Sequence, residues 1–264
     1  MSAIDAAFRG LRAAGEKGLV VYLTAGDPSR AASLSYLSAA ADAGADILEV
    51  GVPFSDPTAD GPTIEAASRR ALAGGMTVGR ALDMVSAFRK SHATPVVLFG
   101  YYNPFLRYGV PRLCRDAKEA GADGFLIVDL PYEEAGEAVP EMRAAGLDWI
   151  PLAAPTSAMR RIREFGRAGS GFLYLISVTG VTGTRESLPP GMAAWTREVS
   201  RVSRLPVAVG FGISSPRMAR EATRHADAAV VGSACVKVVE RHGRGTRGPA
   251  ELYRFVRSLK SALR

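Results

Sequence analysis

The stretch LEVGVPFSDPTADGPTI, residues 48–64, holds carboxylates where proton chemistry is possible. Glu49 lies between Leu48 and Val50 in an apolar run, and Asp56 and Asp60 follow in a loop. An ionised carboxylate taken out of water without a partner is costly, so such a group shifts its pKa or has a task. In a strand, alternate residues share a side, so Ile47, Glu49 and Gly51 face opposite to Leu48, Val50 and Val52. If the Glu49 side is the inside of a barrel, its carboxyl should have a raised pKa and both give and take a proton near neutrality. The competing reading is a core glutamate satisfied by hydrogen bonds. Asp60 precedes the helical pattern GPTIEAASRRAL and could equally cap it. Asp56, before Pro57, could be a turn residue. Asp129, before Pro131, could brace a loop.

A second chemistry is suggested by glycine. VTGVTG (178–183), GFGISS (210–215) and GSA (232–234) offer glycines where a backbone must approach closely, and the last two run into helical stretches. Exposed N–H groups at a helix start, with Ser214, Ser215 and Ser233 nearby, suit a phosphate. The plainer alternative has Ser215 capping a helix ahead of Pro216.

These groups need a frame to hold them. Eight short apolar runs read as strands: Leu19–Thr24, Asp46–Gly51, Pro95–Gly100, Gly124–Asp129, Asp148–Leu152, Phe172–Ser177, Pro206–Gly210 and Ala228–Val231. They are continuous rather than alternating, as in a parallel sheet covered on both faces. Helical patterns separate them, including Ala31–Ala43, Val78–Lys90, Pro111–Ala120, Glu133–Ala145 and Ser157–Phe165. AGAD recurs at 43–46 and 120–123, and AAGLD stands at 144–148, each reading as a glycine that ends a helix before the next strand. The expected fold is a single (β/α)₈ barrel over residues 1–264, with an extra helix at the N-terminus and another after the second strand. Arg241–Pro249 is expected to be a surface loop before a last helix. Chemistry in such a barrel sits where strands end, and those ends are rich in Gly, Pro, Asp, Asn, Tyr and Ser. A phosphate site after the last two strands is a recurrent feature of the architecture.

The rest of the chain narrows the choices. The N-terminal MSAIDAAFRGLRAAGEKG reads as an amphipathic helix with Ile4, Phe8 and Leu11 on one side, not a secretory signal. No apolar run approaches the roughly 20 residues of a membrane helix. Cys114 and Cys235 have no metal or redox spacing and are expected to be reduced thiols of a cytoplasmic protein. The net charge is +7, and residues 197–264 hold 12 Arg and 2 Lys against 5 acids. The arginines fall at helical spacing with no nucleic-acid motif, which favours solvated helix faces over a nucleic-acid partner. None of the 5 lysines lies in a strand candidate, which argues against a Schiff-base aldolase. The 3 histidines fall away from strand ends, which argues against a histidine-held metal. What remains is a phosphate-anchored substrate worked on by carboxylates, with no cofactor.

LTAGDP, LEVGVPFSDPTADGPTI, YYNP, DLP, SVTGVTG and VGFGISSP, in this order, closely resemble the tryptophan synthase α subunit family. The resemblance runs from about Leu19 to Lys237. It implies a (β/α)₈ lyase that cleaves indole-3-glycerol phosphate to indole and glyceraldehyde 3-phosphate. It also implies a β subunit partner in an α2β2 assembly. By the same resemblance Glu49 is the general acid/base and Asp60 the partner of the indole nitrogen. Tyr22, Leu126, Tyr174 and Phe211 match the indole pocket, and Gly183, Gly212, Ile213, Gly232 and Ser233 the phosphate site. Tyr101 and Thr182 also match positions that line the site, with Thr182 on a loop of about Val178–Leu188 expected to close over the substrate. Pro53, Asp56, Asn103 and Pro131 match the β-facing surface. The chain departs from the family pattern at Gly100, where a bulkier residue is expected, in its basic charge, and in RHGRGTRGPAE. A stand-alone lyase releasing free indole would share every catalytic motif. A sugar-phosphate isomerase on the same frame would also need acid and base at strand ends. A catalytically idle subunit, regulating a partner or carrying nucleic acid, would not need Glu49 and Asp60 intact.

Overall fold

A computed structural model describes residues 2–177 and 190–264. The expected loop 178–188, with Thr182 and Gly183, lies outside the described residues. After helix α1 (Ala3–Ala14), strand β1 (Gly18–Thr24) leads through α2 (Arg30–Asp42) to β2 (Ile47–Gly51). Two helices follow β2: α3 (Pro62–Ala73), the expected extra one, and α4 (Val78–Arg89). Next come β3 (Val96–Gly100), α5 (Tyr102–Tyr108), α6 (Val110–Ala120) and β4 (Gly124–Ile127). A 3₁₀ turn at Tyr132–Glu134 and α7 (Ala138–Ala144) replace the single helix expected over Glu133–Ala145; Gly136 falls in the break, where a helix interior would disfavour it.

The fifth barrel strand is in two pieces, β5 (Asp148–Trp149) and β6 (Leu152–Ala153). β5 pairs with β4 and β6 with β7 (Leu173–Ile176), so this one segment joins the two edges of the sheet and closes the barrel. Pro151 lies in the gap and has no N–H to give a ladder, while its carbonyl accepts from Tyr174 N at 3.0 Å. The circuit is completed by α8 (Met159–Ala168), α9 (Met192–Val202), β8 (Val207–Gly210), α10 (Pro216–Ala222) and β9 (Ala228–Val231), which pairs with β1. Helices α11 (Ser233–His242) and α12 (Arg247–Ser261) end the chain. The loop expected over Arg241–Pro249 shrinks to 243–246, because both helices extend into it.

Strand alternation sorts the core into two layers. Val20, Ile47, Val97, Leu126, Ile150 and Phe172 fill the barrel interior, and α1 plugs its lower end with Ile4, Phe8 and Leu11. Leu19, Val21, Leu48, Val50 and Leu98 face outward under the helices. The AGAD repeat has a physical reason on both counts. Gly44 and Gly121 stand at φ 100° and 89°, where an L side chain is strained. Asp46 accepts from Leu19 N at 2.7 Å and Asp123 from Val96 N at 2.8 Å. Each aspartate thus satisfies a donor at the start of the preceding strand, and Asp227 does the same for Val207 N at 2.8 Å. Lys260, 4% exposed, ties α12 to this rim through Asp46 at 3.0 Å and Glu16 at 3.3 Å. Cys114 and Cys235 are buried and free. Among the described residues no helix is long and apolar enough to cross a membrane.

Candidate active site

Glu49 points into the barrel from β2, beside Tyr22 of β1 and Val97 of β3 in the strand register. It is 0% exposed, and neither carboxyl oxygen has a hydrogen-bond partner among the described residues. The core-glutamate reading required such partners, so the acid is not there for packing. Burial alone pushes its pKa from 4.5 to about 8. The carboxyl is neutral at pH 7.

Asp60 hangs over the same space from the loop after β2. Ala59 N donates to the Tyr101 hydroxyl at 3.0 Å, and that hydroxyl donates to Asp60. Burial pushes Asp60 up from 3.8 to about 6, the Tyr101 bond holding it down and Glu65 adding a smaller push upward. Its cap role is not taken: Gly61 stands at the N-cap of α3 without a side-chain cap bond. The two carboxyl groups therefore differ in charge near neutrality, one an acid and the other an anion, which is how one site runs both roles.

Between and beyond them runs a cleft. Of the expected residues, Tyr22, Glu49, Asp60, Tyr174, Gly212, Ile213, Gly232 and Ser233 line it. Gly232 and Ser233 open α11, so the cleft ends against a helix N-terminus that suits an anion. The plain reading of Ser215 holds: its hydroxyl accepts from Met218 N at 3.3 Å and caps α10. Asp129 likewise braces its loop, accepting from Tyr102 N at 2.7 Å.

Three expected residues do not line the cleft. Tyr101 acts through Asp60 and Ala59 instead. Leu126 is 0% exposed in the barrel interior. Phe211, just past the end of β8, is 1% exposed and packs with the outer-layer residues. The cleft adds Ile64, Phe99, Val128, Leu152, Ile176, Ser177 and Val230, which sequence reasoning missed. The available signal was parity, since Phe99, Val128, Leu152, Ile176 and Val230 each stand two residues beyond an inward residue of the same strand or its immediate extension.

Glycine shapes the mouth. A Cβ on Gly51 would overlap the Tyr22 phenol, and one on Gly210 the Tyr174 phenol. Both phenols are pushed well above their ordinary pKa, first by burial and then by nearby carboxylates, so they remain protonated. Tyr22 lies edge-on to Phe99, with ring centroids 5.1 Å apart, and shares a 3.4 Å hydrogen bond with Thr24. Gly100, the departure from the expected pattern, makes room for Phe105: a Cβ there would lie 2.8 Å from its ring. Gly51→Ala is expected to displace Tyr22, costing about 1–3 kcal/mol of stability. It should also raise the substrate KM; thermal melting and steady-state kinetics check both, and an unchanged KM would free Tyr22 from any part in binding.

A closed (β/α)₈ barrel with a neutral acid, an anionic partner and an anion-accepting end defines an acid–base enzyme for a phosphorylated substrate with an apolar body. The comparisons with known proteins then specify it. The family model described as tryptophan synthase alpha chain matches residues 8–264, and the chain belongs to that family. It is similar to the tryptophan synthase alpha chain of Citrifermentans bemidjiense, 48% identical over 263 residues, covering 100% of this chain and 98% of the relative. The corresponding chain of Geobacter sulfurreducens is 47% identical over 264 residues, with 100% and 98% covered. Among solved structures, the alpha chain from Legionella pneumophila superposes with a TM-score of 0.92 at 35% identity, covering 100% of this chain and 97% of that one. A Mycobacterium tuberculosis tryptophan synthase chain gives 0.91 at 36%, with 100% and 98% covered. The protein is thus a carbon–carbon lyase of tryptophan biosynthesis that cleaves indole-3-glycerol phosphate to indole and glyceraldehyde 3-phosphate. The isomerase and idle-subunit readings are set aside.

Proposed function

We propose that Glu49 is the proton shuttle of this cleavage and Asp60 its electrostatic partner. The observation that carries the assignment is the buried, unpartnered and neutral Glu49 carboxyl inside the cleft. Glu49 gives its proton to C3 of the indole ring, leaving positive charge on the ring. The bond between C3 and the hydroxyl-bearing side-chain carbon then breaks, and its electron pair restores the neutral ring. The hydroxyl proton passes to the Glu49 carboxylate, the oxygen becomes the aldehyde of glyceraldehyde 3-phosphate, and the acid is regenerated. A positioned acid–base group of this kind contributes typically about 10²–10⁴-fold. Asp60 accepts from the ring N1–H, where the positive charge is shared. Tyr22, Phe99, Tyr174 and Leu152 enclose the ring. Gly212, Ile213, Gly232 and Ser233 hold the phosphate, joined by Gly183 from outside the described residues.

The chain 1–264 works as one domain, in the cytoplasm, with a tryptophan synthase β subunit in an α2β2 assembly. Asp56 and Asn103 are exposed on the rim formed by the segments after β2 and β3, Pro131 is half-buried and Pro53 is buried. Leu106, on the same short helix as Asn103, is 51% exposed, an apolar contact on that rim. Indole release from indole-3-glycerol phosphate, measured with and without a purified β subunit, tests this reading. Strong stimulation is expected. Full activity that the β subunit leaves unchanged would make the chain a stand-alone lyase.

A further inference from the structure

Arg70 sits near the far end of α3, away from the cleft, and makes a three-way contact. Its Nε and Nη2 donate to the two carboxyl oxygens of Asp27 at 2.7 and 3.0 Å. Its Nη1 donates to Glu240 at 3.2 Å. Asp27 belongs to the loop after β1 and its side chain is only 2% exposed, while Arg70 is 34% exposed and Glu240 48%. Glu240 lies toward the end of α11. One guanidinium therefore joins the first loop of the barrel to two helices far apart in sequence.

Each of those three segments adjoins a residue of the site. Asp60 stands two residues before α3. Ser233 is the first residue of α11. Tyr22 and Thr24 lie on β1, just before the Asp27 loop. Near the cleft the same elements touch through Tyr22, Ile64, Ala67 and Val236, a small cluster of their own. The helices α3 and α11 are thus pinned at two places, by packing beside the cleft and by Arg70 at the opposite end. That loop is itself fixed, since Ala25 N donates to Gly51 O at 2.8 Å and Gly26 N to Ser33 Oγ at 3.1 Å.

We propose that Arg70 is a positioning residue for the lyase reaction, a clamp that holds helix α3, which follows Asp60, and the phosphate-end helix α11 in register on the β1 rim. This rests on the assignment of the phosphate to the start of α11. The planar fork is required because a single ammonium cannot keep two parallel bonds to Asp27 and a third to Glu240. Loss of the register separates Asp60 from the phosphate end, and substrate binding must then restore it.

The test is Arg70→Lys in the full chain, with kcat and KM for indole-3-glycerol phosphate, the Ki of inorganic phosphate and the melting temperature all measured. Misplacement by about an ångström is enough to cost up to about 100-fold, and KM and Ki are expected to rise together by about tenfold, at a temperature where the variant is folded. A lowered melting temperature with wild-type KM and Ki would overturn the proposal and leave the clamp a purely structural contact. Should Arg70→Lys not fold, Glu240→Ala carries the same test, because it leaves the buried Asp27 pair intact and removes only the acceptor that joins the two helices. There both constants should rise about threefold, the scale of one part-exposed ion pair, and wild-type values overturn the proposal. Wild-type enzyme indifferent to inorganic phosphate would instead sink the phosphate assignment, and the clamp is then read from KM alone.

Discussion

Glu49→Gln is expected to cut indole release by about 10³-fold or more while the barrel remains folded. Glutamine matches the shape of the acid and carries no transferable proton, so the loss isolates the chemistry. The substitution also has a stability signature with a definite sign. Glu49 titrates near 4.5 when unfolded and at about 8 in the folded protein. Between those values the folded state keeps a proton that the unfolded chain has released, so stability falls as pH rises across that window and levels off above it. The fall is on the order of 5 kcal/mol in total if the whole shift is expressed. Glutamine removes that slope. It brings its own unpaired amide into the pocket, so the test lies in the change between about pH 5 and pH 8.5 rather than in the stability at either one. Denaturant midpoints at the two pH values read it directly. Normal turnover by the variant removes Glu49 from the mechanism, and an unchanged pH slope removes its raised pKa.

The parity of Glu49 was legible because alternation is a local rule, but which face turns inward was left open, since Ile47 on its own side and Leu48 and Val50 on the other are all apolar. The AGAD repeat was legible as punctuation for the same reason: a positive-φ glycine is a property of a few residues. What the aspartate does was not, since its partner lies 27 residues away, at the start of the strand before it. Phe211 shows two kinds of inference in conflict. Resemblance places it in the indole pocket, whereas alternation continued from Ala208 and Gly210 would turn its ring outward, and it packs among outer-layer residues. The closure through β5 and β6 depends on two neighbouring strands that approach from opposite sides of Pro151. Strand propensity carries no such information. The Arg70 contacts are likewise invisible in sequence, with partners 43 and 170 residues distant.

Asp60→Asn is expected to lower kcat by about 10²-fold, the usual scale for removing one group aimed at developing charge. Asparagine still accepts from N1–H, so what is lost is the negative charge opposite the protonated ring. The pH dependence separates the two carboxyl groups. With Asp60 required as an anion and Glu49 as an acid, wild-type kcat/KM should rise through about pH 6 and fall through about pH 8. The basic limb should survive in Asp60→Asn and the acid limb should vanish. The substrate phosphate also titrates near 6, so the acid limb needs an assignment independent of its position. Tyr101 supplies it. Its hydroxyl donates to Asp60 and holds the carboxyl down, so Tyr101→Phe should move the acid limb upward and leave the basic limb in place. A phosphate hydrogen-bonded at the start of α11 does not respond to Tyr101. An acid limb that stays put in Tyr101→Phe therefore belongs to the substrate, and Asp60 would lose its role as the anion facing the ring.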